Sequence, residues 1–244
     1  MKSGLKIGGA MKVTLVIPVL NEIIGMKAIM PLIKKEWYDQ ILFIDGQSTD
    51  GTLEWLKEKG YPYIVQQKKG MRHAYMEALP YIEGDVLLTF SPDGNSIPEL
   101  IPECIKKMKE GYDMVIVARY AQGAKSDDDD PITGFGNWMF RTLINVCHGA
   151  HYKDPMVIYR AYKKQLIYDL DLDKDSSYEF EEKLFNTKVS WEPLLSIRAA
   201  KRKLKIAEIP GDEPARIGGE RKLQIWRWGA VFLYQTIREI FVWR

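Results

Sequence analysis

Cysteine is scarce in this chain. Its 244 residues hold two, Cys104 and Cys147, far apart and in no CxxC pairing. That excludes a disulfide framework and a cysteine-built zinc site, and it fits a reducing cytoplasm. Surplus charge is lacking too: 35 Lys and Arg against 33 Asp and Glu leave +2 at neutral pH, so neither a disordered polyelectrolyte nor a general nucleic-acid binder is encoded. Long apolar runs are also missing. The most apolar early stretch, residues 13–20, stops at Asn21-Glu22, and neither a signal peptide nor a clean membrane span is expected. What is present is a 46% apolar composition. A chain of this length buries roughly 70–75% of its unfolded surface, enough for a sizeable core.

Residues 1–10 are small, polar and basic, and Met11-Lys12 resembles a second beginning; a disordered or vector-derived leader is expected there. Thereafter the periodicity alternates. Strands are expected at 13–18, 41–45, 63–66, 85–90 and 113–118, with helices at 22–37, 51–59, 71–79 and 97–110. Such alternation predicts an α/β fold, a mostly parallel central sheet with helices on both faces. Beyond Tyr120 come an acidic loop at 127–130, read as solvated, a helix near 137–148 and a strand at 157–161. A helix at 191–203, a strand at 204–209, a Gly- and Pro-containing loop at 210–219 and a C-terminal helix complete the chain. Residues 11–222 are expected to form one domain, with 223–244 as an amphipathic tail.

The expected strands end in loops rich in chemistry, and in open α/β sheets ligands bind beyond the carboxyl ends of strands. Asp93 and Asn95 sit two apart in a Gly-containing turn, so a carboxylate and an amide oxygen could face one hard cation such as Mg²⁺ or Mn²⁺; Pro-Asp-Gly-Asn is equally a plain turn. Asp45 precedes Ser48-Thr49-Asp50, read as a helix cap, and its carboxylate could accept from a ribose or a base. Glu22 either lines a site or favours the positive end of the following helix. Arg216, Arg221 and Lys222 flank a glycine pair in a loop that could close over phosphates or simply be solvated. His148-x-x-His151 beside Cys147 straddles Gly149, where a helix is expected to end, which disperses a zinc set.

The order of these pieces is more specific than any one of them. Val16 to Glu22, Phe43 to Thr52, Ser91 to Asn95 with Pro98-Glu99, Val117 to Tyr120, and Glu208-Ile209-Pro210 leading to Arg216 and Lys222 together resemble the family 2 glycosyltransferases, most closely the dolichol-phosphate mannose synthase branch. The resemblance implies a GT-A type nucleotide-diphospho-sugar transferase fold and an inverting, metal-assisted transfer from a UDP- or GDP-sugar to a polyprenyl phosphate or glycan acceptor. By position it implies that Pro18 and Glu22 line the nucleotide pocket, that Asp45 contacts base or ribose, and that Asp93 and Asn95 hold Mn²⁺ or Mg²⁺. Arg119 would lie near the acceptor or diphosphate, and Arg216 and Lys222 would cover the leaving group. A non-catalytic nucleotide- or glycan-binding relative is the alternative, motivated by Ser91.

Ser91 stands where the family has the first aspartate of Asp-x-Asp, which should weaken metal binding. A hydroxyl acceptor would need a general base, for which Glu192 and Asp154 are the candidates, whereas a phosphate acceptor is already an anionic nucleophile. On a helical wheel the tail places Gln224, Arg227, Gln235 and Arg238 in a narrow polar stripe and Trp226, Trp228, Phe232, Leu233, Ile237, Ile240 and Phe241 around the rest. That pattern fits peripheral membrane contact through residues 224–243 at the inner face of the membrane, docking in a homo-oligomer, or packing on the chain's own core.

Overall fold

The computed structural model describes residues 11–218 and 224–243. The β-branched run Val13–Val19 forms β1, followed by α1 (Ile23–Ile29), β2 (Gln40–Asp45), α2 (Thr52–Lys59), β3 (Tyr63–Val65), α3 (Met71–Ala78), β4 (Val86–Thr89), α4 (Ile101–Lys109) and β5 (Met114–Ala118). The second half supplies α5 (Pro131–His148), β6 (Arg160–Lys163), α6 (Leu166–Asp169), α7 (Glu179–Leu184), α8 (Glu192–Lys201), β7 (Ile206–Pro210) and α9 (Ile225–Phe241). The strands make one sheet in the order β3-β2-β1-β4-β6-β5-β7, with β6 antiparallel to both neighbours and the other pairs parallel.

Helices cover both faces, so strand residues of either parity are buried. Leu15 and Ile17 of β1 and Val115 and Val117 of β5 pack under α1, α2 and α4, while Val16, Ile44, Leu87 and Ile116 face α3, α5, α8 and α9. On that second face Trp191, fully buried, stacks on Tyr75 at 4.8 Å between centroids. The chain runs outward from β1 through β2 to β3 and then returns to place β4 on the other flank of β1. Where the order reverses, the loops after β1 and β4 meet at the carboxyl ends of the strands and flank a crevice there, and the helices that follow them, α1 and α4, lie on the same face of the sheet.

Four expectations need correction. The helix expected near 137–148 begins at Pro131, because Asp130 caps it: its Oδ1 accepts from the amides of Ile132 (2.8 Å) and Thr133 (3.0 Å), and the Thr133 hydroxyl accepts from the Asp130 amide. The strand expected at 157–161 lies at Arg160–Lys163, a polar segment held by pairing to β4 and β5. Helices α6 and α7, in a stretch that had no expected element, are short. The polar stripe of α9 turns inward only in its second half: Gln235 is completely buried, as is Glu239 nearby, whereas Gln224 and Arg227 are exposed and Trp226 (82% exposed) and Phe241 (74%) point outward. The leader at 1–10 lies outside the described residues.

The inward stripe of α9 finds a buried ionic network. Arg198 of α8 forks onto Glu239 with two 3.0 Å bonds, Arg238 grips both Glu181 oxygens at 2.8 Å, and Gln235 donates to Glu181 at 2.9 Å. Bidentate geometry of this kind offsets the desolvation of the charges. The tail expected at 223–244 is thereby tied to the same body as the sheet.

Candidate active site

The first two loops are bound together by short polar side chains. Asn21, held at φ +55°, donates its amide to Ser48 Oγ (2.9 Å) and accepts on Oδ1 from the Thr49 amide (2.7 Å). Asp50 accepts on Oδ1 from Thr52 and on Oδ2 from the amide of Ile23, so it caps α2 and the first turn of α1 at once. Burial would raise its pKa, but the hydrogen bonds from Thr52 and Ile23 outweigh it and leave Asp50 below the ordinary 3.8. Asp45 closes β2 fully buried, its Oδ1 accepting from the amides of Gln47 and Ser48, both at 3.0 Å. Its Oδ2 has no hydrogen-bond partner among the described residues, an acceptor left for a ligand. Pro18 lies one residue from the end of β1, beside Ile44.

Across the crevice, the turn after β4 presents Asp93, 5% exposed. Its Oδ1 accepts from the Asn95 amide (3.1 Å), and its Oδ2 meets the Arg216 guanidinium at 3.0 Å. The same Nη1 of Arg216 lies 3.6 Å from Glu22. Gly25 of α1 brings the two loops into contact, since a Cβ there would meet the Pro92 carbonyl at 2.5 Å. Asn95 donates to Asp128 at 3.0 Å while its Oδ1 is buried without a partner among the described residues. A carboxylate already drawing a cation and an unsatisfied amide oxygen on one turn suit a hard divalent cation, provided a ligand's phosphates complete its shell. Among the described residues no cluster of three or more His, Cys, Asp or Glu side chains could hold a metal unaided.

The acidic stretch is therefore not the solvated loop expected of it. Asp128 reaches Asn95, Asp129 accepts from the Tyr120 hydroxyl, and Asp130 caps α5. Sequence reading treated the four carboxylates as one charge run. The capping pair Asp130-x-x-Thr133 was the signal that would have divided them.

Arg119 follows β5, and all three nitrogens of its guanidinium are engaged. Nε and Nη2 bond Asp154 at 2.6 and 3.0 Å, Nη1 reaches Glu213 at 3.1 Å, and the plane lies over Tyr120. Burial would lower its pKa, but Asp154 and then Glu213 outweigh that and keep it charged. Burial likewise lifts Glu213 and Glu208 above the ordinary 4.5. Both Asp154 oxygens are engaged by Arg119, and Asp154 is itself placed by its amide bond to Glu208 (2.8 Å). Glu213, which pins the loop after β7 to Arg119 and Ser126, was not anticipated. Glu192 opens α8 at 1% exposure, against Tyr75 and within the field of Arg160; burial first, and then this carboxylate, push the Tyr75 phenol well above 10. The structure thus gathers Glu22, Asp93, Asn95 and Arg216 in one crevice, while Pro18 and Asp45 lie at the carboxyl ends of the neighbouring strands β1 and β2. Arg119 and Asp154 form a separate ion pair, Glu192 lies buried, and Lys222 lies outside the described residues. His148 donates from Nε2 to the Thr236 carbonyl (2.9 Å) and joins no metal set among the described residues.

Comparison with known proteins bears on this geometry. Residues 14–171 match the family described as Glycosyl transferase family 2. Among curated relatives, the chain is 26% identical over 93% of its length, and 71% of the relative's, to a protein named Glycosyltransferase AglJ of Haloferax volcanii. It is 26% identical to the Dolichol-phosphate mannosyltransferase of Pyrococcus furiosus over 88% of this chain, spanning 60% of that longer protein. The Undecaprenyl-phosphate mannosyltransferase of Micrococcus luteus is 24% identical over 93% of this chain and 98% of its own. Among solved structures, glucosyl-3-phosphoglycerate synthase of Mycobacterium tuberculosis, crystallised with Mn²⁺, UDP and its product, superposes with a TM-score of 0.59 at 18% identity, covering 94% of this chain and 80% of that one; it supports the GT-A fold.

Proposed function

Because the chain belongs to glycosyl transferase family 2 and is a glycosyltransferase, we propose that it moves a hexose from a UDP- or GDP-sugar to a polyprenyl phosphate. The observation that carries the donor half is the convergence of Asp93, Asn95, Glu22 and Arg216 at the point where the strand order reverses. In this reading the nucleoside lies over Pro18 and the free oxygen of Asp45, and the diphosphate lies between Glu22 and Asp93. Asp93 and Asn95 would hold Mn²⁺ or Mg²⁺, which would offset charge developing on the departing diphosphate. Arg216 would turn its donors onto the same phosphates.

The acceptor half draws on relatives named for dolichol phosphate and undecaprenyl phosphate and on the state of the two candidate bases. Asp154 is the counter-ion that positions Arg119, and Glu192 is closed off from solvent. A sugar hydroxyl would need one of them to take its proton, whereas a phosphate oxygen attacks the anomeric carbon as it stands. The new bond forms from that oxygen on the face opposite the leaving group, the bond to the diphosphate oxygen breaks, and the anomeric configuration inverts. The outward apolar faces of α5 (Phe135, Trp138) and α9 (Trp226, Phe241) offer a surface for contact with a lipid bilayer at its cytoplasmic side; no helix of the described residues is long and apolar enough to cross one.

The test is a panel of UDP-, GDP- and dTDP-sugars with Mn²⁺ or Mg²⁺, read by thermal shift and by sugar transfer to a short polyprenyl phosphate. One donor should raise Tm and give product, and Asp93→Asn should abolish both. Nucleotide binding without turnover would return the chain to the non-catalytic alternative, and no shift with any nucleotide would defeat the donor reading.

A further inference from the structure

The loop between β7 and α9 lies directly on the turn that carries Asp93. The Ile217 amide donates to the Asp93 carbonyl at 2.9 Å. The Ile217 side chain is pressed so closely on Gly94 that a Cβ there would meet it at 2.5 Å. A little upstream, Glu213 is fastened to Arg119 and Ser126, and its carbonyl accepts from Asp127 (2.8 Å). Between these anchors Arg216 reaches inward, 21% exposed, with its Nη1 on Asp93 and near Glu22, while its Nε is buried with no partner among the described residues.

We propose that Arg216 is a resident cation: in the donor-free protein its guanidinium occupies the carboxylate that a divalent metal would use, and it passes to the donor's diphosphate when nucleotide and metal enter together. The inference rests on the donor reading above and adds an order to it. The turn offers one carboxylate and one amide oxygen, and Arg216 already neutralises the carboxylate. A bare cation must lose hydration and displace an ion pair that is mostly withdrawn from water. A diphosphate changes both sides of that exchange. It supplies the anionic oxygens that the turn lacks, and it gives Arg216 a partner that can engage the Nε and Nη2 edge side by side, which the single Nη1 contact to Asp93 does not. Metal and nucleotide are then coupled, each tightening the other by the same factor.

Mn²⁺ binding followed by the electron paramagnetic resonance of the free ion tests this without any turnover. The wild type should bind Mn²⁺ alone weakly and should bind it at least about tenfold more tightly with UDP or GDP, a coupling of ordinary size. Arg216→Ala should bind Mn²⁺ alone roughly fivefold more tightly than wild type, as expected for loss of one competing ion pair, and should bind the metal nucleotide less tightly. Ile217→Ala, which loosens the loop but leaves the carboxylates and the guanidinium in place, should move Mn²⁺ binding in the same direction by a smaller factor. Equal or weaker binding of Mn²⁺ alone in both variants would overturn the inference. If no protein binds Mn²⁺ under any nucleotide, the donor reading itself has failed, a result distinct from unchanged affinity in the variants.

Discussion

Gly25→Ala should disable the crevice without altering any polar side chain in it. A Cβ at that position would lie 2.5 Å from the Pro92 carbonyl oxygen and 2.9 Å from the Asp93 Cα. The first distance is 0.9 Å short of the 3.4 Å at which ordinary contact begins. Both opposing atoms are backbone, so no side chain can rotate away, and either α1 or the turn after β4 must move by most of that deficit. Overpacking of this kind costs about 1–3 kcal/mol, which lowers Tm by about 2–4 °C per kcal/mol for a chain of this size. The functional loss should be larger, because a displacement near 1 Å at a positioning element reduces turnover by about 100-fold. The assay is kcat/KM for sugar transfer beside a thermal melt, with Gly136→Ala as control: nothing lies within 4 Å of the Cβ it would add, and its φ needs no glycine. Transfer within about threefold of wild type and an unchanged Tm would refute the claim that α1 sets the position of Asp93.

The buried network under α9 makes a stability prediction: Glu239→Gln leaves Arg198 and Arg238 without their shared counter-ion and should cost about 3 kcal/mol in urea denaturation, a loss below 1 kcal/mol arguing that the pair is not coupled to folding. Although burial would raise the Glu239 pKa, Arg198 and then Arg238 hold it below the ordinary 4.5; its contribution is therefore full above that value and disappears as the pH falls through the lowered one, and the variant should show a flatter acid limb. For the membrane contact, a Trp226→Ala/Phe241→Ala double variant should lose at least about tenfold in co-sedimentation with anionic vesicles while keeping its thermal shift with nucleotide. Unchanged vesicle binding, or self-association abolished in its place, would assign the apolar face to a second copy of the chain.

The first half of the fold was legible because its buried strands are short apolar runs set apart by polar loops that carry glycine or proline. The second half was less so. Arg160 and Lys163 do not read as strand residues, and β6 exists because the gap between β4 and β5 needs an antiparallel partner, with Arg160 folding its guanidinium back onto the Val157 and Pro155 carbonyls. The helical wheel of α9 found the polar stripe but not its direction. What turns the stripe inward are Glu181 and Arg198, 57 and 40 residues before Arg238 in the chain, a pairing that local periodicity cannot contain. Motif order singles out Glu22, Asp93, Asn95 and Arg216 in four separate stretches of chain, and the structure brings these side chains together. Motif order does not show their partners: Arg216, expected to cover phosphates, holds Asp93 in this structure, and outside the crevice Asp154, a candidate base by sequence, is the counter-ion of Arg119.

Ser91 and Arg216 belong to one electrostatic arrangement. Aspartates at both 91 and 93 would place two charges on the turn, more than a single guanidinium shared with Glu22 could neutralise, and a divalent cation would have an anionic seat whether or not nucleotide was present. With serine at 91 the turn carries one charge, Arg216 cancels it at 3.0 Å, and nothing on the turn compensates a bare cation for the water it must shed. On the proposed reading the oxygens that a second aspartate would give must come with the substrate, and a donor diphosphate would supply them as it draws Arg216 away. Weak metal binding in the resting state and a loop latched over the crevice are, on this reasoning, consequences of the same lost carboxylate.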